Sequence, residues 1–159
     1  MNQKLCKQLV ELLLSKNITI STAESCTGGL LSKYITDQAG VSAVFECGVV
    51  SYSGRIKHQI LGVSEQTIRN YGEVSSETAL EMADGIRSVA NSDIGIGITG
   101  IAGPGGGTPE KPVGLVYFAV SFKDFRQAVR LQLFDLKSRE EVRERTVSEV
   151  LQYLFDLIR

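Results

Sequence analysis

Segments with the periodicity of helices alternate along this chain with short apolar segments typical of strands. The first helical segment, Gln3 to Ser15, has its leucines at helical spacing, and the strand-like segment ITIST follows it. The alternation continues to DIGIGITG, a predicted strand whose glycines allow another element to approach its backbone closely. This order of elements predicts a largely parallel sheet with helices on both faces.

The last third of the chain has a different pattern. Two strand-like segments, LVYFAVSF and FRQAVRLQLFD, flank Lys123-Asp124, which predicts a hairpin. A long helical segment follows Ser138, a favourable N-cap residue with acidic residues directly after it. The predicted fold is therefore a three-layer α/β/α sandwich with a mixed, mostly parallel sheet and a C-terminal hairpin plus helix.

Between these regions, turn residues predict where individual elements begin and end. LLSKYITDQAG is predicted to form a helix that ends at Gly40, and RIKHQILGV a short helix that ends at Gly62. Ser64 and Ser75 are predicted N-caps of two further helices. The apolar, β-branched segment VFECGVVSYS predicts a buried strand.

Composition limits the classes of function. A chain of 159 residues is expected to form one domain, residues 1–159, with enough core to need no metal or disulfide. The net charge of −1 argues against a nucleic-acid binder, and no apolar run is long enough to cross a membrane. Three cysteines without CxxC spacing, and no signal-peptide pattern, predict reduced thiols in the cytoplasm.

Three glycine-punctuated segments follow predicted strands. They are AESCTGG, SYSGRIKH and TGIAGPGGGTPEKPVG, and each carries hydroxyl or basic side chains. Ligands of α/β proteins bind beyond the carboxyl ends of the strands, where such loops meet. The sequence therefore predicts that these three segments form one binding or catalytic site.

The first of these segments contains two neighbouring candidate nucleophiles, Ser25 and Cys26. A serine at a strand-to-helix turn lies near free backbone N–H groups, which can hold an oxyanion or a phosphate. The alternative is structural, because Ser25 or Thr27 can also act as a helix N-cap. The segment is neither the G-x-S-x-G elbow nor a Walker loop.

A nucleophilic serine needs a base, and the second segment offers two. His58 is the only histidine of the chain, and Lys57 precedes it. A lysine in a dry site can lose its proton and act as a base, as in Ser-Lys enzymes. Tyr52 is a candidate proton shuttle. The structural alternatives are a solvated surface lysine and a core tyrosine.

Long stretches of the chain resemble the CinA C-terminal domain family, which includes bacterial nicotinamide-mononucleotide (NMN) amidohydrolases of the PncC type. The resemblance is carried by AESCTGGLLS, ECGVVSYSGRIKHQILGV, GEVSSETALEMADGIR and IGITGIAGPGGGTPEKPVGLVYFAV. It implies hydrolysis of the carboxamide of NMN to nicotinate mononucleotide and ammonia, without a metal or other cofactor. It also implies a homodimer, and the chain resembles the free-standing form of the domain.

The resemblance further implies roles for individual residues. Ser25 is the expected nucleophile, Lys57 its base and Tyr52 a supporting hydroxyl. The residues expected to bind substrate are Cys26, Thr27, Gly28, Gly29, Thr99, Gly100, Gly105, Gly106 and Arg139. The chain departs from the family pattern before Arg139, where Lys137-Ser138 replaces a glycine and an acidic residue.

Two other classes of function stay open at the level of sequence. A nucleotide-binding relative without catalytic activity would keep the glycine-rich loop but release no ammonia. A cysteine amidase would use Cys26 rather than Ser25 as the nucleophile.

Overall fold

The computed structural model describes residues 1–159 and contains six α-helices, five strands and one short 3-10 helix. In chain order these are α1 (Asn2–Lys16), β1 (Ile20–Glu24), α2 (Leu30–Thr36), the 3-10 helix (Val41–Ala43), β2 (Phe45–Val50), α3 (Gly54–Leu61), α4 (Glu65–Tyr71), α5 (Ser76–Ala90), β3 (Ile94–Gly100), β4 (Leu115–Phe122), β5 (Phe125–Gln132) and α6 (Arg139–Ile158).

The five strands form one mixed sheet in the order β2-β1-β3-β4-β5. Strand β1 pairs in parallel with both β2 and β3, whereas β4 is antiparallel to β3 and to β5. Strand β5 therefore runs in the same direction as the first three strands. The arrangement confirms the predicted α/β fold with a mixed sheet and a C-terminal hairpin plus helix.

Helices cover both faces of this sheet. The main hydrophobic core lies on the face covered by α1, α2 and α6, and a smaller one lies beneath α3 and α5. The alternating isoleucines of β3 are buried in the main core, and its alternating glycines face α5. A Cβ atom on Gly97 would lie 2.7 Å from the backbone nitrogen of Ala83, so the glycine is what allows α5 to pack this closely.

Most predicted element ends are confirmed. The side chains of Ser64, Ser75 and Ser138 each accept a backbone hydrogen bond at the start of their helices, and Gly62 ends α3. At Ser138 the cap is a full capping box, because the Glu141 side chain bonds back to the Ser138 backbone.

Two predictions about local structure were wrong. Helix α2 ends at Thr36 rather than Gly40, which instead begins the 3-10 helix in a left-handed conformation with φ 79°. Strand β2 is not buried but forms an edge of the sheet, and alternate residues face solvent; Val50 is 50% exposed. Its apolar composition did not reveal this, because the exposure of a strand depends on which strands pair with it.

The carboxyl ends of the three parallel strands meet at one edge of the sheet. Glu24, the last residue of β1, lies opposite Val50 of β2 and Ile98 of β3. The backbone N–H of Ser25 then donates to the Ile98 carbonyl at 3.0 Å, and that of Ser51 donates to the Glu24 carbonyl at 2.9 Å. The chain segments that leave these strands are therefore held side by side.

None of the helices is both long enough and apolar enough to span a membrane.

Candidate active site

A cavity of about 420 Å³ opens at this edge of the sheet. Its walls come from the turn after β1, the start of α3, the α4–α5 connection, the glycine-rich loop after β3 and the first residue of α6. The residues that line it are Ser25, Cys26, Tyr52, Lys57, Gly72, Glu73, Val74, Thr99, Gly100, Ile101, Ala102, Gly103, Gly105, Gly106, Thr108, Lys111 and Arg139. The three glycine-punctuated segments of the sequence thus contribute to one cavity of a size usual for small-molecule sites.

Ser25 and Lys57 are in direct contact in the floor of this cavity. Lys57 Nζ lies 3.1 Å from Ser25 Oγ and donates a second hydrogen bond to the Ser51 carbonyl at 2.8 Å. The two side chains are deeply placed, since Ser25 is 8% exposed and Lys57 only 1%. The hydrogen bond to the Ser51 carbonyl fixes the position of the amine, so that the amine also lies within hydrogen-bond distance of the serine hydroxyl.

The position of Lys57 changes its protonation equilibrium. Burial lowers the pKa of its amine below the ordinary lysine value of 10.5, because the charged form loses hydration, and the negative charge of Glu73 partly opposes this effect. The amine makes no salt bridge with any carboxylate. A lysine in this environment can release its proton more readily than a surface lysine.

The turn that presents Ser25 is organised by the fully buried carboxylate of Glu24. It accepts hydrogen bonds from the hydroxyls of Thr27 and Ser32 and from the backbone N–H groups of Gly29, Leu31 and Ser32. These donors include the N–H groups of Leu31 and Ser32 in the first turn of α2, which have no acceptor within the helix. Glu24 thus provides these N–H groups with an acceptor from the protein itself. The N-cap position is Gly29, with no side-chain cap, and the alternative reading of Ser25 or Thr27 as the N-cap residue is wrong.

This arrangement separates the AESCTGG residues into two groups. Ser25 and Cys26 line the cavity, whereas Thr27, Gly28 and Gly29 do not. The Gly28 N–H donates to the Ser25 carbonyl, and the Gly29 N–H is engaged by Glu24. The backbone N–H groups of Cys26 and Thr27 donate to no backbone carbonyl of the protein.

Arg139, the first residue of α6, joins two other segments at the mouth of the cavity. Its guanidinium donates to the Tyr52 hydroxyl and to the Gly103 carbonyl, each at 2.7 Å. Tyr52 is 60% exposed and makes no hydrogen bond to Ser25 or Lys57. The unusual Lys137-Ser138 turn is compatible with this placement, since Ser138 caps the helix directly before Arg139.

The glycine-rich loop forms the wall opposite α3. Gly100, Gly105 and Gly106 line the cavity, and Thr99, which is buried, donates its hydroxyl hydrogen to the Glu73 carbonyl at 2.7 Å. Lys111 ties the loop to the α4–α5 connection through hydrogen bonds to the carbonyls of Tyr71 and Val74.

The sole histidine lies outside the site. His58 follows Lys57 on α3, but its ring bonds to the Val63 carbonyl at 2.7 Å and lies 3.9 Å from Glu65. It does not line the cavity, so the structure provides no Ser-His pair. Lys57 is the only basic side chain that contacts Ser25.

Cys26 lines the cavity beside Ser25 as a protonated thiol. Burial raises its pKa to about 12, and the negative charge of Glu24 adds to this effect, outweighing the opposite influence of Lys57 and Arg139. The thiolate is the nucleophilic form of cysteine, and at neutral pH it is nearly absent here. All three cysteines of the chain are free.

Two charged cavity residues were not singled out as site residues from the sequence, Glu73 and Lys111. Lys111 belongs to the loop TGIAGPGGGTPEKPVG, and a lysine within a glycine- and proline-rich loop was a usable signal. Glu73 lies in the connection between two helices, at the start of the stretch GEVSSETALEMADGIR, but nothing in that stretch assigned it a role in the site. No group of three or more His, Cys, Asp or Glu side chains is placed to hold a metal ion.

The fold and cavity define an α/β protein with a buried Ser-Lys pair at the carboxyl ends of its parallel strands. The family model for the CinA C-terminal domain matches residues 2–158. The chain therefore belongs to the CinA C-terminal domain family.

Known relatives support this assignment. A CinA-like protein of Kosmotoga olearia is 49% identical over 146 residues, which make up 92% of this chain and 35% of that protein. The chain thus spans about a third of the length of the curated relatives that it matches.

Solved structures agree over nearly the whole chain. The competence/damage inducible protein CihA of Agrobacterium tumefaciens is 38% identical, with a TM-score of 0.95 and coverage of 99% of this chain and 96% of that one. A CinA superfamily protein of Klebsiella pneumoniae is 32% identical, also with a TM-score of 0.95, and coverage is 99% and 98%. These names state no chemical reaction.

The protonated state of Cys26 predicts low thiol reactivity. With a pKa near 12, the thiolate fraction at neutral pH is roughly a thousandfold lower than for a thiol of pKa 9. Iodoacetamide at pH 7 should therefore modify Cys26 far more slowly than free cysteine, as measured by mass spectrometry of the peptide that contains it. Modification of Cys26 at the rate of free cysteine would contradict this description of the site.

Proposed function

We propose that this protein hydrolyses the carboxamide of NMN, giving nicotinate mononucleotide and ammonia, with Ser25 as nucleophile and Lys57 as general base. The observation that carries the proposal is the buried contact of 3.1 Å between Lys57 Nζ and Ser25 Oγ. A serine is activated when a base accepts its proton, and a desolvated lysine amine is suited to this role. The family assignment supports the choice of substrate.

In the first step Ser25 Oγ attacks the amide carbon. One N–H of neutral Lys57 stays on the Ser51 carbonyl, so the lone pair accepts the serine proton. The resulting ammonium transfers that proton to the amide nitrogen, the C–N bond breaks, and ammonia leaves. The direct Lys57–Ser25 contact provides this proton path without Tyr52.

In the second step water attacks the acyl-serine ester. Lys57, neutral again, accepts a proton from the water molecule and returns it to Ser25 Oγ as the ester bond breaks. The products are the free serine and nicotinate mononucleotide. The same base therefore serves both half-reactions, in accordance with the roles of a catalytic base in acyl transfer.

The oxyanion of each tetrahedral intermediate needs hydrogen-bond donors. The backbone N–H of Cys26 is the best candidate, because Cys26 lines the cavity, Thr27 is fully buried outside it, and the N–H groups of Gly28 and Gly29 are already engaged. The N–H of the residue after the nucleophile has this function in other serine hydrolases. One such donor contributes about 3–4 kcal/mol to stabilisation of the transition state.

The phosphate of NMN requires cationic donors near the cavity mouth. Arg139 uses two N–H groups for Tyr52 and Gly103, and a guanidinium has five. The remaining donors can form charge-assisted hydrogen bonds with a phosphate, which is a preferred partner of arginine. Backbone N–H groups of the loop from Gly100 to Gly107 can supplement them.

The proposal predicts a defined product and two inactive variants. Wild-type protein incubated with NMN should release ammonia and nicotinate mononucleotide, measured by chromatography.

Ser25→Ala should remove turnover while leaving the fold intact, because loss of a hydroxyl opens little space. Lys57→Arg should be nearly as inactive, since arginine keeps the charge but does not release its proton at workable pH.

Three outcomes would contradict these assignments. Ser25→Ala with activity within about tenfold of wild type would exclude the serine nucleophile, and a folded but inactive Cys26→Ser variant would favour a cysteine amidase. Binding of NMN by wild type without ammonia release would identify a nucleotide-binding relative without catalytic activity. Each variant needs a circular dichroism spectrum as a control for folding.

The placement of Arg139 predicts that the enzyme recognises the substrate phosphate. Arg139→Ala should lower kcat/KM for NMN by about tenfold or more, because a charge-assisted hydrogen bond contributes about 1.5–3 kcal/mol. The low activity expected with nicotinamide riboside, which lacks the phosphate, should change little. An equal loss for both substrates would show that Arg139 acts on the amide or on the fold instead.

A further inference from the structure

Glu73 is the only carboxylate among the residues that line the cavity, and the mechanism above gives it no function. It lies in the short connection between α4 and α5. Its side chain is exposed, and its carboxylate forms no salt bridge in the protein. A negative charge at a catalytic cavity without a protein partner calls for a physical explanation.

The carboxylate lies over the first turn of α3, where Glu73 also borders a neighbouring cavity lined by Gly54, Arg55 and Arg69. Its Oε1 and Cδ occupy the space that a Cβ atom on Gly54 would need, with Cδ 3.2 Å from that position. Gly54 and Lys57 are three residues apart on α3, so they share one face of the helix. The hydrogen bond of 2.7 Å from Thr99 Oγ1 to the Glu73 carbonyl fixes the backbone of this segment against β3.

Lys57 has no other anionic neighbour in the cavity. The other titratable or charged side chains on the elements around it are a protonated thiol, cations, or groups bonded elsewhere. They are Cys26 (thiol), Tyr52 (bonded to Arg139), Lys111, Arg139, Arg55 and Arg69 (cations), His58 (bonded to Val63), Glu65 (beside His58), Glu77 and Glu81 of α5 (bonded to Ser76, and to Ser64 and Thr67) and Glu24 (bonded to the start of α2).

We propose that Glu73 is a positioning residue whose negative charge stabilises the ammonium form of Lys57 each time Lys57 accepts a proton from serine or water. In this role it corresponds to the acidic member of a Ser-His-Asp triad, which stabilises the protonated base. The catalytic consequence rests on the proposed function, whereas the effect on Lys57 itself does not.

The charge of Lys57 changes each time the amine accepts a proton. Proton transfer places a positive charge on a buried amine, which is unfavourable unless an opposite charge lies nearby. Because Glu73 is exposed to solvent, its interaction with Lys57 is partly screened, and added salt should weaken it further. Removal of the charge should therefore make Lys57 harder to protonate and the transition state less stable.

The direct test is titration of Lys57 in the ligand-free protein by NMR of labelled lysine side chains. In Glu73→Gln the pKa of Lys57 should lie below its wild-type value, and Glu73→Asp should restore part of the difference. Glu65→Gln is the matched control, because Glu65 is an exposed glutamate near α3 that does not line the cavity. An identical titration of Lys57 in wild type and Glu73→Gln would overturn the proposal.

The kinetic test uses the pH profile with NMN as substrate. Glu73→Gln should lower kcat on the pH plateau by about threefold to tenfold and move the acidic limb of kcat/KM to lower pH. Both differences should shrink in 1 M NaCl, where the screening length is about 3 Å. A lower kcat with an unmoved acidic limb would indicate a merely structural role and would overturn the proposal.

The two tests separate this inference from the proposed function. If NMN is not hydrolysed but the NMR titration shifts in Glu73→Gln, the electrostatic coupling stands and the substrate assignment fails. If NMN is hydrolysed but the titration does not shift, the substrate assignment stands and the role of Glu73 fails.

Discussion

The site depends on a lysine amine that is buried without a salt bridge. Lys57 is among the largest fully buried side chains of the protein, and its amine bonds only to the Ser25 hydroxyl and the Ser51 carbonyl. Burying an amine in this way favours its neutral form, because the ammonium loses hydration that no carboxylate replaces at hydrogen-bond distance. The α/β scaffold supports this contact by holding the ends of β1 and β2 next to each other.

The fully buried carboxylate of Glu24 organises the turn that carries Ser25. Its carboxylate takes up donors from the turn and from the start of α2, so the turn keeps its shape without a bound anion. The same negative charge helps to keep the neighbouring Cys26 protonated. The thiol beside Ser25 is thus kept in its weakly nucleophilic, protonated form, which supports the proposal of Ser25 rather than Cys26 as the nucleophile.

The sequence predicted the layers, the hairpin and the helix caps, because local periodicity and capping residues specify them. Taking the three glycine-punctuated segments as one edge of the sheet brought the segments of Ser25, Lys57 and Thr99 together, whereas Arg139 was expected there only from the family resemblance. The sequence could not place β2 at the sheet edge or show that Glu24 caps α2, since both depend on contacts between distant segments. For the same reason it gave no role to Glu73, which reaches the cavity from the α4–α5 connection.

Activation of Ser25 by neutral Lys57 can be measured with a sulfonyl fluoride, which transfers its sulfonyl group to activated hydroxyls. The modified residue is mapped by peptide mass spectrometry, and its rate of modification is followed against pH. The account predicts modification of Ser25 with a rate that rises to a plateau below the ordinary lysine pKa of 10.5, and loss of this reaction in Lys57→Arg. Modification of Ser25 at an unchanged rate in Lys57→Arg would contradict it.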